Sequence, residues 1–183
     1  MMATAITIRP ETAADVEAID EVTRAAFRTL AVSNQTEQYI VAALRAAGAM
    51  AVSLVAEREG RAVGHVAFSK VGMSDGSNGW YGAGPLSVLP ELQRQGIGSA
   101  LMHEGLARLE GMGAKGCCLV GDAKYYGRFG FESPAGLGLE GVPQEVFLAI
   151  CLEGPMPQGQ VAFHEAFMAQ AYPDGSISSA GGN

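Results

Sequence analysis

The sequence is poor in charge, in cysteine and in long apolar runs. Of its 183 residues, 17% are charged, 7% are aromatic and 3 are cysteines. No run of about 18 apolar residues occurs, which excludes a membrane-spanning helix and argues against a membrane partner. Met1 to Pro10 lacks a basic segment followed by an apolar one, so no signal peptide is expected and a cytoplasmic location is. Cys117, Cys118 and Cys151 stand at no zinc-ligand spacing and form no disulfide framework. They are read as buried, reduced thiols, and no metal is expected. Cations are scarce as well: 12 Lys and Arg face 19 Asp and Glu, a formal net charge of −7. A surface of that sign repels phosphate backbones, so a nucleic-acid partner is not expected.

What is present is a globular composition, 48% hydrophobic, of a length that suits one domain. Ile6 and Ile8 alternate with threonines and predict a first strand that stops at Pro10. Thr12 and Asp15 have capping-box spacing ahead of a helix to about Leu30. Ile40, Val41 and Leu44 predict a second helix over 36–47, with Gly48 as its stop. Strands are predicted over 51–57 and 62–71, joined by a turn at Glu59-Gly60-Arg61. A glycine-rich loop over 72–79 leads to a strand over 80–88. A long helix to about Met112, a buried strand over 116–120 and a short helix over 123–129 follow. Two closing strands are placed at 145–152 and 160–164. This order predicts an α/β (α+β) fold: a mixed, mostly antiparallel sheet of about seven strands with helices on both faces. The domain spans 1–172, and the small polar residues of 173–183 predict a flexible tail.

The richest segment joins the strand over 80–88 to the long helix: Leu86-Ser87-Val88-Leu89-Pro90-Glu91-Leu92-Gln93-Arg94-Gln95-Gly96-Ile97-Gly98-Ser99. Two glycines one residue apart open a helix directly after a strand. A helix start carries N–H groups without intrahelical partners and about half a positive charge. Together they make a socket for phosphate. A dinucleotide fingerprint would need a third glycine where Leu101 stands, and a P-loop would need Gly-Lys-Ser or Gly-Lys-Thr. Neither is present.

Gln93-x-x-Gly96-x-Gly98 resembles the coenzyme A pyrophosphate loop of the GNAT superfamily of N-acetyltransferases. About thirty residues on, Tyr125-Tyr126-Gly127-Arg128-Phe129-Gly130-Phe131 resembles the family's tyrosine, three residues, then Gly-Phe signature. The likeness runs roughly from Ile6 to Phe167 and is strongest from Gly82 to Phe131. It is greatest to small bacterial members with a Tyr-Tyr-x-Arg-Phe-Gly-Phe run. Position 93 is Gln where many members carry Arg. The resemblance implies a GNAT fold and transfer of an acetyl group from acetyl-CoA to a primary amine of a small molecule or protein. It also implies that backbone amides from Gln93, Arg94, Gln95, Gly96, Ile97, Gly98 and Ser99 hold the pyrophosphate. Leu86, Ser87 and Val88 would pair with the pantetheine arm, on a strand that splays from its neighbour. Tyr126 would be the general acid toward the departing thiolate, and Tyr125 a packing residue.

The base that deprotonates the amine is not marked by a motif. Glu37, Asp122 and Glu91 are the candidate carboxylates, with water as the other choice. His65 is read as a strand residue in a half-polar site and His103 as exposed; His164 has no assigned role. A non-catalytic acyl-CoA-binding or sensing module is the alternative to an enzyme, and a nucleotide-binding domain is a third reading. Both a monomer and a homodimer fit the sequence.

Overall fold

A computed structural model describes residues 4–179. β1 (Thr7–Pro10) ends at its proline, and the Thr12 backbone N–H donates to the Asp15 carboxylate at 2.7 Å, as the capping spacing predicted. α1 (Val16–Arg28) and α2 (Glu37–Ala46) bury Ile19 and Val22, and Ile40, Val41 and Leu44, at helical spacing. β2 (Met50–Arg58) and β3 (Arg61–Lys70) form a hairpin closed with Arg58 opposite Arg61. The remaining elements are β4 (Gly72–Met73), β5 (Trp80–Val88), α3 (Ile97–Gly111), β6 (Gly116–Val120), α4 (Ala123–Tyr126), β7 (Leu137–Gly138), β8 (Phe147–Cys151) and β9 (Gly159–Ala162).

Six strands form the main sheet in the order β1-β2-β3-β5-β6-β8. All neighbours are antiparallel except β5 and β6. A parallel pair needs a crossover, and α3 is that crossover. Alternation along the strands divides the core between two faces. Leu54, Val66 and Phe68 pack with Leu101, Met102 and Leu109 of α3. Their sequence neighbours Val55 and Ala67 face Ile19, Val41, Ile40 and Leu44 of α1 and α2. The expected class, a mixed and mostly antiparallel sheet between helices, is the one observed.

Three expectations change in detail. The last strand does not close the main sheet, which has six strands where about seven were expected; β9 lies between β4 and β7 in a separate three-stranded sheet. Its partners are two residues long, too short for any periodicity to announce them. The stretch 72–79, expected as loop, begins with one of those partners, β4. Cys117 and Cys118 are buried, but Cys151, at the end of the edge strand β8, is exposed; all three are free thiols. In the described part of the expected tail, the Ser178 backbone N–H donates to Tyr39 Oη at 2.8 Å and the Tyr172 hydroxyl lies 2.9 Å from Ser178 Oγ. Residues 180–183 lie outside the described residues.

Candidate active site

The site grows from an interrupted ladder. β5 pairs with β6 through Trp80, Tyr81 and Gly82 only, opposite Gly116, Cys117 and Cys118. β5 continues for six more residues, to Val88, without a partner on that side. Its other side stays paired with β3 as far as Gly64 opposite Val88. A bulge sits where the two strands part. Val66 faces Leu86 and Phe68 faces Ala83, so β5 spends three steps where β3 spends two, with Gly84 and Pro85 between. Bulges bend a strand and raise its twist. The β5 backbone thus turns from β6 and leaves amide groups unpaired in a slot, and backbone groups away from water require a partner.

The slot opens into a cleft of about 720 Å³ lined by Leu86, Val88, Leu92, Gln93, Arg94, Gly96, Ile97, Gly98, Ser99 and Tyr126, and also by Leu30, Tyr125 and Arg128. At its end the loop from β5 to α3 coils with Arg94 at φ 63° and Gly96 at φ 87°, two left-handed residues separated by one. Such a sequence of turns points successive N–H groups into one concavity. The first intrahelical bond of α3 is Ala100 N–H to Gly96 O at 3.0 Å, so the N–H groups of Ile97, Gly98 and Ser99 precede the ladder and face outward. The Gln93 side chain donates to the Val88 carbonyl at 3.0 Å and ties the loop to its strand. No carboxylate lines this cleft among the described residues, whereas Arg94 and Arg128 do. In a chain of charge −7 this is a local reversal of sign that suits an anion.

The opposite wall is α4 and the single turn after it. Asp122 caps α4 by accepting from the Lys124 N–H at 2.9 Å. Tyr125 and Tyr126 then leave a short helix in successive directions, with their rings edge-to-face at 4.8 Å. The Tyr125 hydroxyl stands over the first turn of α3; a β-carbon on Gly98 would meet it at 2.8 Å. Glycine there is what lets the two elements approach. The Tyr126 ring lies where a side chain on Gly121 would stand, and it also neighbours Phe129 and Phe131. Burial, with a smaller contribution from Tyr125, pushes the Tyr126 hydroxyl up to about 12. Arg128 stacks on the Tyr125 ring at 4.5 Å from its centroid, and its Nε donates to the Tyr125 carbonyl at 2.9 Å.

Not every candidate residue reaches the cleft. Ser87 points to the other face of the sheet, where its hydroxyl lies 3.4 Å from Thr23 Oγ1 beneath α1. Gln95 is exposed on the outside of the loop. Glu37 lies at the start of α2, with Oε1 accepting from Ser33 Oγ at 2.6 Å and Oε2 buried without a partner among the described residues. The Ser33 N–H donates to the carbonyl of Leu30, which lines the cleft. Asp122 and Glu91 are exposed. Leu30, Tyr125 and Arg128 enter the site from elements that the loop motif does not mark. The signal available for the last two was their place inside the Tyr-Tyr-x-Arg-Phe-Gly-Phe run. A smaller depression of about 440 Å³ between α1 and α2 holds Glu17, Asp20, Arg45 and Tyr172 and touches neither motif.

The histidines serve structure. His103 is exposed and its ring meets Phe129 edge-on at 5.0 Å. His164 Nδ1 accepts from the Ala166 N–H at 3.0 Å and caps the turn after β9. His65 is fully buried, beyond the half-polar setting expected, 2.8 Å from Ser53 Oγ and 3.5 Å from the Glu11 carboxylate. Burial pushes its pKa down, and Glu11 offsets only part of that. Burial raises Glu11, but hydrogen bonds from His65, Arg45 and Ser53 outweigh it and hold the carboxyl well below the usual range.

The parted strands, the loop of left-handed residues at a helix start and the tyrosine across the slot define an acyl-CoA-type acyltransferase frame. Residues 50–133 match the family model described as Acetyltransferase (GNAT) domain. Over 129 residues the chain is 36% identical to the uncharacterized N-acetyltransferase YhbS of Escherichia coli K12, covering 70% of this chain and 74% of that one. A GNAT family acetyltransferase from Brucella melitensis, solved in complex with acetyl-CoA, is 48% identical, with a TM-score of 0.80 over 90% of this chain and 99% of that one. The structure of E. coli YhbS in complex with CoA superposes with a TM-score of 0.83 and 30% identity, covering 94% and 97% of the two chains. The chain belongs to the GNAT family of acetyltransferases.

Proposed function

We propose that this chain transfers the acetyl group of acetyl-CoA to a primary amine, within a complex that holds both substrates at once. The observation that carries the reading is the parting of β5 from β6 into a cleft that ends on the loop from Gln93 to Ser99. The slot offers strand-like backbone at Leu86 and Val88, and the loop offers N–H groups from Arg94 to Ser99. An extended pantetheine arm carrying a pyrophosphate requires those two features in that order. Ser87 would contribute only its backbone, because its side chain is buried on the other face.

Within that frame the amine nitrogen attacks the thioester carbon, the N–C bond forms and the C–S bond breaks. In this reading Tyr126, which lines the cleft, gives its proton to the departing sulfur. A phenol raised to about 12 keeps its proton at any working pH. It surrenders it only as negative charge builds on the departing sulfur, whose thiolate the same burial disfavours. The amine must lose a proton as well. Of the candidate bases, Asp122 is exposed and engaged as a helix cap, whereas Glu37 keeps one buried oxygen without a partner. Glu37, or water held near it, is therefore the preferred acceptor for that proton.

The test is thiol release from acetyl-CoA against a panel of primary amines, with equilibrium binding of acetyl-CoA measured in parallel. Tyr126→Phe should lower kcat by about 10²–10⁴-fold and leave the Kd for acetyl-CoA within about twofold. Wild-type protein that binds no acetyl-CoA would overturn the reading. Tight binding without release for any amine would favour a sensing module over an enzyme.

A further inference from the structure

The adjacent tyrosines are not equivalent, and the structure separates them. Tyr126 is half-buried, with its ring against Gly121, Phe129 and Phe131. Tyr125 turns the other way and brings its hydroxyl over Gly98, in the first turn of α3. That hydroxyl makes no hydrogen bond among the described residues. Its ring is the platform for Arg128, whose Nε is committed to the Tyr125 carbonyl while its two terminal nitrogens pair with no carboxylate among the described residues. Both side chains line the cleft that holds Arg94 and the N–H groups of Ile97, Gly98 and Ser99. A chain with 12 cationic residues against 19 acidic ones thus places two arginines, and no acid, around one helix start. A planar guanidinium fixed by stacking and one hydrogen bond loses little freedom when it binds, and guanidinium matches phosphate geometry.

We infer that Tyr125 and Arg128 form a second wall of the anion site and bind the pyrophosphate of the coenzyme from the side opposite the Gln93–Ser99 loop. The inference rests on the acetyl-CoA reading above and goes past it. It assigns phosphate binding to the Tyr-Tyr-x-Arg run, so that neighbouring tyrosines serve the two ends of one substrate: Tyr125 its phosphates, Tyr126 its sulfur. Arg128 supplies charge and Tyr125 supplies both a hydroxyl donor and the surface that holds Arg128 in place.

The experiment is calorimetric titration of the full chain with CoA and with dephospho-CoA, which keeps the pyrophosphate but lacks the 3′-phosphate. Wild type is compared with Arg128→Ala, Tyr125→Phe and Arg108→Ala. Arg108 is an exposed arginine on α3, ion-paired with Glu104, and controls for general loss of positive charge. Arg128→Ala should weaken both ligands by at least about tenfold, since hydrogen bonds to charged groups are worth about 1.5–3 kcal/mol. Tyr125→Phe keeps the ring under Arg128 and should weaken both by about three- to tenfold. Arg108→Ala should change neither by more than about twofold. Thermal unfolding of each variant reports whether it is folded, and both changed side chains are partly or fully exposed. Variants that bind like wild type overturn the inference. Weakening toward CoA but not toward dephospho-CoA overturns the pyrophosphate assignment, because Arg128 would then read the 3′-phosphate. Wild type that binds neither ligand overturns the acetyl-CoA reading itself, and is distinguishable because no variant is needed to see it.

Discussion

The two faces of the sheet handle polar groups in opposite ways. On the side of α3, the cleft keeps its groups uncommitted. Backbone amides of Ile97, Gly98 and Ser99 lie ahead of the helical ladder, the Tyr125 hydroxyl has no partner among the described residues, and two arginines face no acid. Beneath α1 and α2, polar groups are paired with one another. Arg45 donates to Glu11 at 2.7 Å, Ser53 donates to the same carboxylate at 2.6 Å, and His65 meets Ser53 at 2.8 Å. Among the described residues, Glu37 Oε2 at the start of α2, His65 Nδ1 and Ser69 Oγ are the buried side-chain atoms left unpartnered. A surface ready for a ligand stores unsatisfied hydrogen-bonding capacity, and a surface that stabilises the fold consumes it. Disruption of the paired face should therefore cost stability and spare coenzyme binding, and disruption of the open face should do the reverse.

Four changes would break or sharpen that contrast. The largest is expected from Glu11→Ala, which strands Arg45 and His65. Loss of one partner of a fully buried pair costs about 3–5 kcal/mol; with Arg45 24% exposed, roughly 2–3 kcal/mol is expected here. Urea unfolding should show that loss while the Kd for acetyl-CoA stays within about twofold. A comparable loss of affinity would show that the two faces are coupled.

Acid comes next. His65 is held neutral in the folded chain by burial, against the offset from Glu11, so its folded pKa lies below the unfolded value of about 6.5. The unfolded chain takes up the proton first, so this contribution is fully present above about pH 6.5 and is lost as pH falls below it. The slope for this one proton cannot exceed about 1.4 kcal/mol per pH unit. Arg45 opposes and Asp15 favours protonation of the same ring. Glu11, whose pKa is depressed in the folded state, adds its own loss only below about pH 4.3. Stability of the wild type between pH 5 and 7 should slope as described, and His65→Gln should flatten that slope. An equal slope in the variant would assign it to other groups.

A smaller effect is expected on the open face from Gly98→Ala. The new methyl would displace the Tyr125 hydroxyl and intrude on the concavity at the start of α3, which should weaken acetyl-CoA about tenfold with a change in stability below about 1 kcal/mol. The smallest is Asp122→Asn. Asparagine caps a helix as well as aspartate does, so α4 should persist and kcat should fall by less than about twofold. A tenfold loss would return Asp122 to the role of base.

Legibility followed locality. β5 and β6 were read at their observed bounds, because each is an apolar run framed by glycine or proline. The capping of the first turn by Asp15 was legible from two residues. The loop from Gln93 to Ser99 was legible because its geometry is carried by residues within a few positions of each other. Features that depend on distant partners were not legible. β4 and β7 exist only because β9 lies between them. The side on which Ser87 points follows from register with His65 across the sheet. Asp122 could be named as a carboxylate near the site, but its use as a helix cap is a matter of backbone geometry. The sequence suggests only packing for Tyr125, since nothing local says that its hydroxyl arrives over Gly98.

By itself the sequence determined the order of the longer elements, the helix that begins on two glycines, and two motifs in register whose resemblance implied the family. Those properties lie in short-range periodicity and turn chemistry, which adjacent residues specify. Only the tertiary structure decided how far β5 stays paired with β6, which strand closes which sheet, and which of two adjacent tyrosines brings its hydroxyl over Gly98. Those follow from packing of α3, α4 and the parted strands against one another, contacts between segments tens of residues apart that no local pattern encodes.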